Sequence, residues 1–522
     1  MTALRAAPPQ LMGPDLLAES DARPTPRRRP LRPISGVSIV VGLILLSVTG
    51  VGAGLLFGLG GALLSADSTM VLAGVVGAAV AVAAASRFWP VLVLMFMFRA
   101  SLDALKLTNT YFLDAQTAAK AQTEGITNIF EPSTMIGLVF LASAIGWLIC
   151  QRRAGQLYPV SNPARWFVGL AAAGSLSALG SGAVVTSLGV SLKIWAGALM
   201  LVVLEQLYRQ NPARVKAILV AGIASLVIPT LISIEQLVGP RQLDAYLTVS
   251  RIRGSFVHPN PFATYLVILA VMALALRPHL RRWAQFASMA VFATATVLIL
   301  FTYARAAWVA LIVGILIIGA CQDKRLLVAA VGGALAALLL VPSVSARLSD
   351  LGETQYVANG SPNSLAWRIG YWQRLLPLAS ESPVTGIGLD RVMARTPEAL
   401  MPHNTVVQAL VETGIVGLTA LVGLVLSSAR AVRRAIRETP PGLSRGIAVG
   451  AGAAGAGWAL QLGSENLLTQ AAIFWYLAGS MAFVLVLCAE AQRRRNDDAA
   501  DPETATEPTS SGMAPQPAPA TA

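Results

Sequence analysis

The chain predicts an all-α polytopic membrane protein of about fourteen helices, and three observations carry that reading. Apolar residues fill 55 % of its 522 positions and charged ones 12 %, with a mean hydropathy of +0.64. Apolar runs near the roughly 20 residues that cross a bilayer recur along the sequence. None alternates as a barrel strand would, so helices, which satisfy their own backbone hydrogen bonds in hydrocarbon, are the expected solution.

Residues 1–33 form a polar leader containing Pro and Arg, expected to be disordered and cytoplasmic. The first run, 36–64, is too long for the core of a secretory signal and is expected to remain as a helix. Further runs at 68–86, 88–106, 132–150, 163–181, 185–207, 214–237, 259–276, 284–302, 305–321 and 325–341 complete eleven helices within 34–341. An external loop subdomain follows at 342–402, then three more helices at 403–429, 445–463 and 470–490 within 403–492. Residues 493–522, rich in Ala, Pro, Thr and Asp, are expected to be a disordered cytoplasmic tail.

Positive charge orients such a bundle, because basic loops stay in the cytoplasm. Arg27–Arg29, Arg87, Arg152 and Arg153, Arg209, Arg277, Lys324 and Arg325, Arg430 and Arg493–Arg495 all fall on one side when the chain crosses fourteen times. Both termini are then cytoplasmic. The net charge of +13 follows from this topology and from anionic lipid, with no call for nucleic acid. Cys150, Cys321 and Cys488 all lie near cytoplasmic helix ends, which provides no outward pair for a disulfide.

On the opposite face, three separate segments bring basic residues to helix ends. Arg251, Arg253 and His258, followed by Asn260, precede the eighth run; Arg305 stands between the ninth and tenth; His403 and Asn404 open the twelfth. A single arginine at a helix end is commonly an interfacial anchor. Arg305 resists that reading, since it stands on the side that the positive-inside bias keeps poor in arginine. The planar guanidinium suits bidentate binding of phosphate oxygens, so Arg251, Arg253 and Arg305 are candidate diphosphate ligands. His403 is either a satisfied polar residue at a helix start or a group that accepts a proton from an attacking hydroxyl. His258 either caps its helix or orients the arginines.

Lys193 is about 12 Å below the outer surface at 1.5 Å per residue, where it is either a structural partner for Glu235, Glu412 or Glu465 or a further phosphate ligand. In the external loop, Leu365, Ile369, Trp372 and Leu376 share a helical stripe that predicts an amphipathic surface helix, packed against the bundle with Arg368 within reach of the site. Pro383–Asp390 is a turn signal, too weak to imply a nucleotide loop.

At these residues the chain resembles the O-antigen ligase and polymerase superfamily of bacterial envelope enzymes. The matching elements are Arg-x-Arg-Gly-Ser-Phe-x-His-Pro-Asn from Arg251, Thr302-Tyr-Ala-Arg305-Ala-Ala-Trp308, Trp367-Arg368 through Gly386-Ile-Gly388, and His403-Asn404 through Glu412 to Gly417. They span 251–417, and Ala304 stands where the family usually has serine. The resemblance implies a GT-C-like inverting glycosyltransferase of the bacterial inner membrane, acting on its external face. The implied donor is a glycan on polyprenyl (undecaprenyl) diphosphate, the acceptor a hydroxyl such as that of lipid A core, another lipid-linked repeat, or a protein. His403 and Arg305 would be the catalytic pair; Arg251, Arg253, Arg305 and Lys193 would hold the diphosphate; His258, Asn260, Arg368, Asn404 and Glu412 would support them. No cofactor or metal is expected. The reading from another class is a transporter or flippase, which the helix count and Lys193 also allow.

Overall fold

The computed structural model describes residues 87–104, 132–239, 251–340, 345, 364–398 and 400–500, and among them the structure is helical without a strand. Among the described residues, seven helical stretches are long and apolar enough to cross a membrane. The chain is an all-α, multi-pass membrane protein. The runs at 36–64 and 68–86, the leader and the loop 107–131 lie outside the described residues, so the count of fourteen is neither met nor refuted.

Each of the remaining twelve runs contains helix. In chain order the described helices are α1 (Phe88–Phe98), α2 (Pro132–Arg153), α3 (Asn162–Leu179), α4 (Val184–Gln210), α5 (Arg214–Ala224), α6 (Val227–Val238), α7 (Pro259–Leu276) and α8 (Arg282–Phe301). They continue with α9 (Arg305–Cys321), α10 (Arg325–Leu340), α11 (Ser364–Leu375), α12 (Val392–Arg395), α13 (Thr405–Glu438), α14 (Leu443–Gln461) and α15 (Ala471–Ala500).

Four boundaries differ from the sequence expectation. The run 88–106 is helical only to Phe98 and then turns. The run 214–237 breaks at Ser225 and Leu226, where Pro229 has no N–H to donate back to the Ser225 carbonyl. Ser225 Oγ instead bonds the Gly222 carbonyl at 2.6 Å and pairs with Tyr265 Oη at 2.8 Å. Helix α15 runs past residue 493 to Ala500, into the segment expected to be disordered. The fourth is α13, which starts at Thr405 and is interrupted at Gly414 (φ 64°, ψ −167°).

Helix α7 lies at the centre: all its residues but Pro261 are buried, as expected of a helix apolar on every side. It packs on α8, α9 and α14. Glycines and alanines along α14 let it approach closely, with Gly450 against Met272 and Gly457 against Ala310, the small-residue packing that membrane helices favour. The site sits at the N-terminal end of this central helix.

The surface helix α11 forms, but its buried face is not the expected stripe. Tyr371 and Leu375 are fully buried, joining Ile387, Val392 and Val411 in a small apolar cluster, whereas Ile369 and Leu376 are exposed. Tyr371 Oη donates to the Leu400 carbonyl at 2.6 Å and Trp372 Nε1 to the Pro402 carbonyl at 2.7 Å. The polar tips of these rings select the packed face, a preference that hydropathy alone does not register.

Candidate functional site

The segment before α7 is fastened by backbone and by Gln236. The Ile252 N–H donates to the Phe301 carbonyl at 3.2 Å, while Gln236 Oε1 accepts from the N–H groups of Arg253 and Gly254 at 2.9 and 3.0 Å. Gly254 has φ +53°, and a Cβ there would meet the Phe262 ring, so both backbone and space require glycine. Two of the sequence motifs are thereby joined, because Arg251 Nε donates to the Thr302 carbonyl at 2.7 Å.

From Arg251 a chain of side chains crosses the end of the bundle. Arg251 Nη2 donates to Asn260 Oδ1 at 2.7 Å, and Asn260 Nδ2 donates to the two Glu465 carboxylate oxygens at 2.9 and 2.8 Å. Arg368 Nη1 reaches the neighbouring Ser464 carbonyl at 2.9 Å. Thr405 Oγ1 donates to the Glu465 carbonyl at 2.6 Å, tying the start of α13 to the same loop.

His403 precedes α13 with φ 49°, a conformation unusual for a residue with a Cβ. Its Nδ1 is 3.4 Å from Asn466 Nδ2. Asn404 is the cap: its Oδ1 accepts from the N–H groups of Val406 and Val407 at 2.9 and 3.1 Å. His258 caps α7, its Nδ1 accepting from the Asn260 N–H at 3.2 Å. Burial, and then the Arg368 guanidinium, lower the His403 pKa to about 4. Burial followed by Arg251, His403, Arg368 and Arg253 lowers that of His258 to about 3. Both imidazoles are therefore neutral near pH 7, and the charges of Arg251, Arg253, Arg368 and His403 all act on His258, so these five side chains form one electrostatic group. Burial raises Glu465 to about 7 against the opposing pull of Arg368, Asn260 and Arg251.

Arg305 opens α9 one turn after Thr302, whose carbonyl Arg251 holds. The turn between α8 and α9 is tight: Tyr303 has φ 52°, and Trp308 Nε1 donates back to the Ile299 carbonyl at 3.2 Å.

Lys193 and Glu412 gather around Asp390. Glu412 is fully buried about 12 Å along α13 from Asn404, at 1.5 Å per residue. Its carboxylate accepts from Gln408 Nε2 at 2.9 Å and from the Val392 N–H at 3.4 Å. Lys193 acts on Asp390, whose carboxyl burial raises and the lysine then lowers. Lys193 also lines a cavity of about 220 Å³ with Arg99, Asp103 and His258. Sequence reading missed Arg99, which ends α1 in a turn and lies 3.5 Å from Asp103, and Asp390. It considered Glu465 only as a partner for Lys193, whereas the structure bonds it to Asn260.

The turn signal at Pro383–Asp390 has a structural use. The Ile387 and Gly388 N–H groups donate to the Val411 and Glu412 carbonyls at 3.0 and 3.1 Å, and those of Ile415 and Val416 donate to the Pro383 and Val384 carbonyls at 2.9 and 3.3 Å. This strap satisfies the backbone groups that the break at Gly414 releases.

Residues 289–422 match the Wzy_C family model, described as O-antigen ligase. This segment is similar to O-antigen ligases. This match supports the O-antigen ligase superfamily and an O-antigen ligase or polymerase type of membrane enzyme. It includes Arg305, Arg368, His403, Asn404 and Glu412, whereas Lys193, Arg251, Arg253, His258, Asn260 and Glu465 lie outside the matched residues. No curated protein matches the chain.

Proposed function

We propose that this O-antigen ligase-type protein transfers a glycan from polyprenyl diphosphate to an acceptor hydroxyl, with inversion, on the external face of the bacterial inner membrane. The observation that carries the reading is the meeting of Arg251, Arg253, Arg368, His258 and His403 at one end of the bundle, with Arg305 one turn from the carbonyl that Arg251 holds. Arginines fixed there would stabilise the negative charge growing on the departing diphosphate. Neutral His403 would receive a hydrogen bond from the acceptor hydroxyl. An anionic donor beside the arginines would raise its basicity as the hydroxyl attacks. Lys193, in the cavity it shares with His258, would extend the cationic surface towards the donor. Because fixed guanidinium groups supply the charge, we expect transfer to need no metal ion or other cofactor.

Lipid A core and a second lipid-linked repeat remain alternative acceptors, the first making the protein a ligase and the second a polymerase. Purified protein in chelator-treated liposomes, given polyprenyl-diphosphate glycan with lipid A core or with donor alone, separates them. Product on the core identifies a ligase, and a ladder from donor alone a polymerase. Absence of product under both conditions, with and without divalent ions, overturns the reading. Transport draws on the broken helix α13, a device of transporters; solute uptake that survives loss of His403 would favour it.

A further inference from the structure

We infer that Glu465 is a positioning residue: through Asn260 it fixes the Arg251 guanidinium for the donor, and its ionised form is the one that does so. The inference rests on the proposed reading of Arg251 as a diphosphate ligand. Glu465 is 6 % exposed, and it lies outside the matched family residues and outside the basic motifs. Both its carboxylate oxygens accept from Asn260, whose own carbonyl oxygen accepts from Arg251. Arg251 in turn holds the Thr302 carbonyl at the entrance to α9. One carboxylate thus orders the loop before α7, the first turn of α7 and the turn leading to Arg305.

The groups around Glu465 explain why its charge matters. Arg251 faces it from the segment before α7, Asn260 from α7 and Arg368 from α11. His403, at the start of α13, and His258 belong to the same charged group. These histidines lose their protons near 4 and 3, so neither changes charge around neutrality. Glu465 does, being raised to about 7. When ionised it draws the Asn260 amide and offsets the two guanidinium charges. Protonation removes that charge, leaves the arginines to repel one another and loosens the hold on Arg251.

The test is the pH profile of glycan transfer in proteoliposomes between pH 5.5 and 8.5. For the wild type we expect activity to rise with pH along a limb with its midpoint near 7. Glu465→Gln should be about tenfold slower at pH 8, the size expected when one charge-assisted hydrogen bond is lost, and should lack that limb. Titration of the donor's own phosphate would leave the limb in place in this variant. Asn260→Asp keeps an acceptor for Arg251 but sets a second negative charge against Glu465, so its midpoint should move upward. Elution as a single species and melting in detergent establish that the variants fold. Should Glu465→Gln fail to fold, the Asn260→Asp midpoint decides. A folded Glu465→Gln protein with the wild-type rate and limb, or an unshifted midpoint in Asn260→Asp, overturns the inference. If Arg251→Ala abolishes transfer while Glu465→Gln is normal, the inference fails alone. If the wild type transfers nothing at any pH, the functional reading fails.

Discussion

Glu465 and Glu412 are both buried carboxylates near the same end of the bundle, yet their surroundings differ in kind. Glu465 is held by the Asn260 side chain with Arg251 and Arg368 nearby. Glu412 is held by Gln408 and a backbone N–H, beside a strap that completes a broken helix. Fixed side-chain charges assembled from several segments suit a substrate, whereas backbone pairing around a break preserves architecture. The three non-glycine residues with positive φ among those described divide between the two regions: Tyr303 and His403 in the first, Asp390 in the second. Such conformations cost about 1–3 kcal/mol each and persist where surrounding structure enforces them.

The comparison breaks most sharply on activity against stability. Arg305→Ala and His403→Ala should each lower transfer at least about a hundredfold, the scale for losing a group that stabilises a transition state, with normal insertion and melting. Wild-type transfer by either well-expressed variant removes that residue from the mechanism. Gly414→Val should act the other way. A side chain there meets the Val384 carbonyl and needs φ +64°, so about 2–4 kcal/mol of stability should be lost, read as a lower melting temperature in detergent. Unchanged melting would mean that the strap does not hold the break.

A smaller effect of pH is expected within the first region. His403 and His258 have pKa values below the ordinary 6.5, so the fold favours their neutral forms. Their contribution is complete above 6.5 and is lost as pH falls towards 4 and 3. Melting temperature should therefore drop between pH 6.5 and 4, and drop less in His403→Asn. Glu465 has the opposite sign: its raised value favours the protonated fold, so its contribution is lost as pH rises through about 7. The smallest effect is expected from Trp372→Phe. It removes one hydrogen bond, to the Pro402 carbonyl, and should cost about 1 kcal/mol with transfer retained.

Much of the helical architecture was legible because a bilayer demands long apolar stretches, and the twelve runs within reach all contain helix. The site was legible in part. Arginine and histidine at the ends of apolar runs are conspicuous, and Asn404 and His258 sit where capping residues belong. Glu465 lacked such a signal: one acid in a short loop names no partner, and Asn260 lies 205 positions away. The face of α11 was misread because hydropathy weighs Ile369 and Leu376 above Tyr371, whose ring is buried while its hydroxyl finds a carbonyl.

By itself the sequence determined that this chain is a helical membrane protein, and it marked the basic residues at helix ends, since both follow from local composition and the solvent it must satisfy. Tertiary structure alone decided which of those ends meet. It set Arg251 on the Thr302 carbonyl, Asn260 between Arg251 and Glu465, and Lys193 near Asp390. Hydrogen bonds and charges act over a few ångströms in space, and packing, not order along the chain, sets those distances.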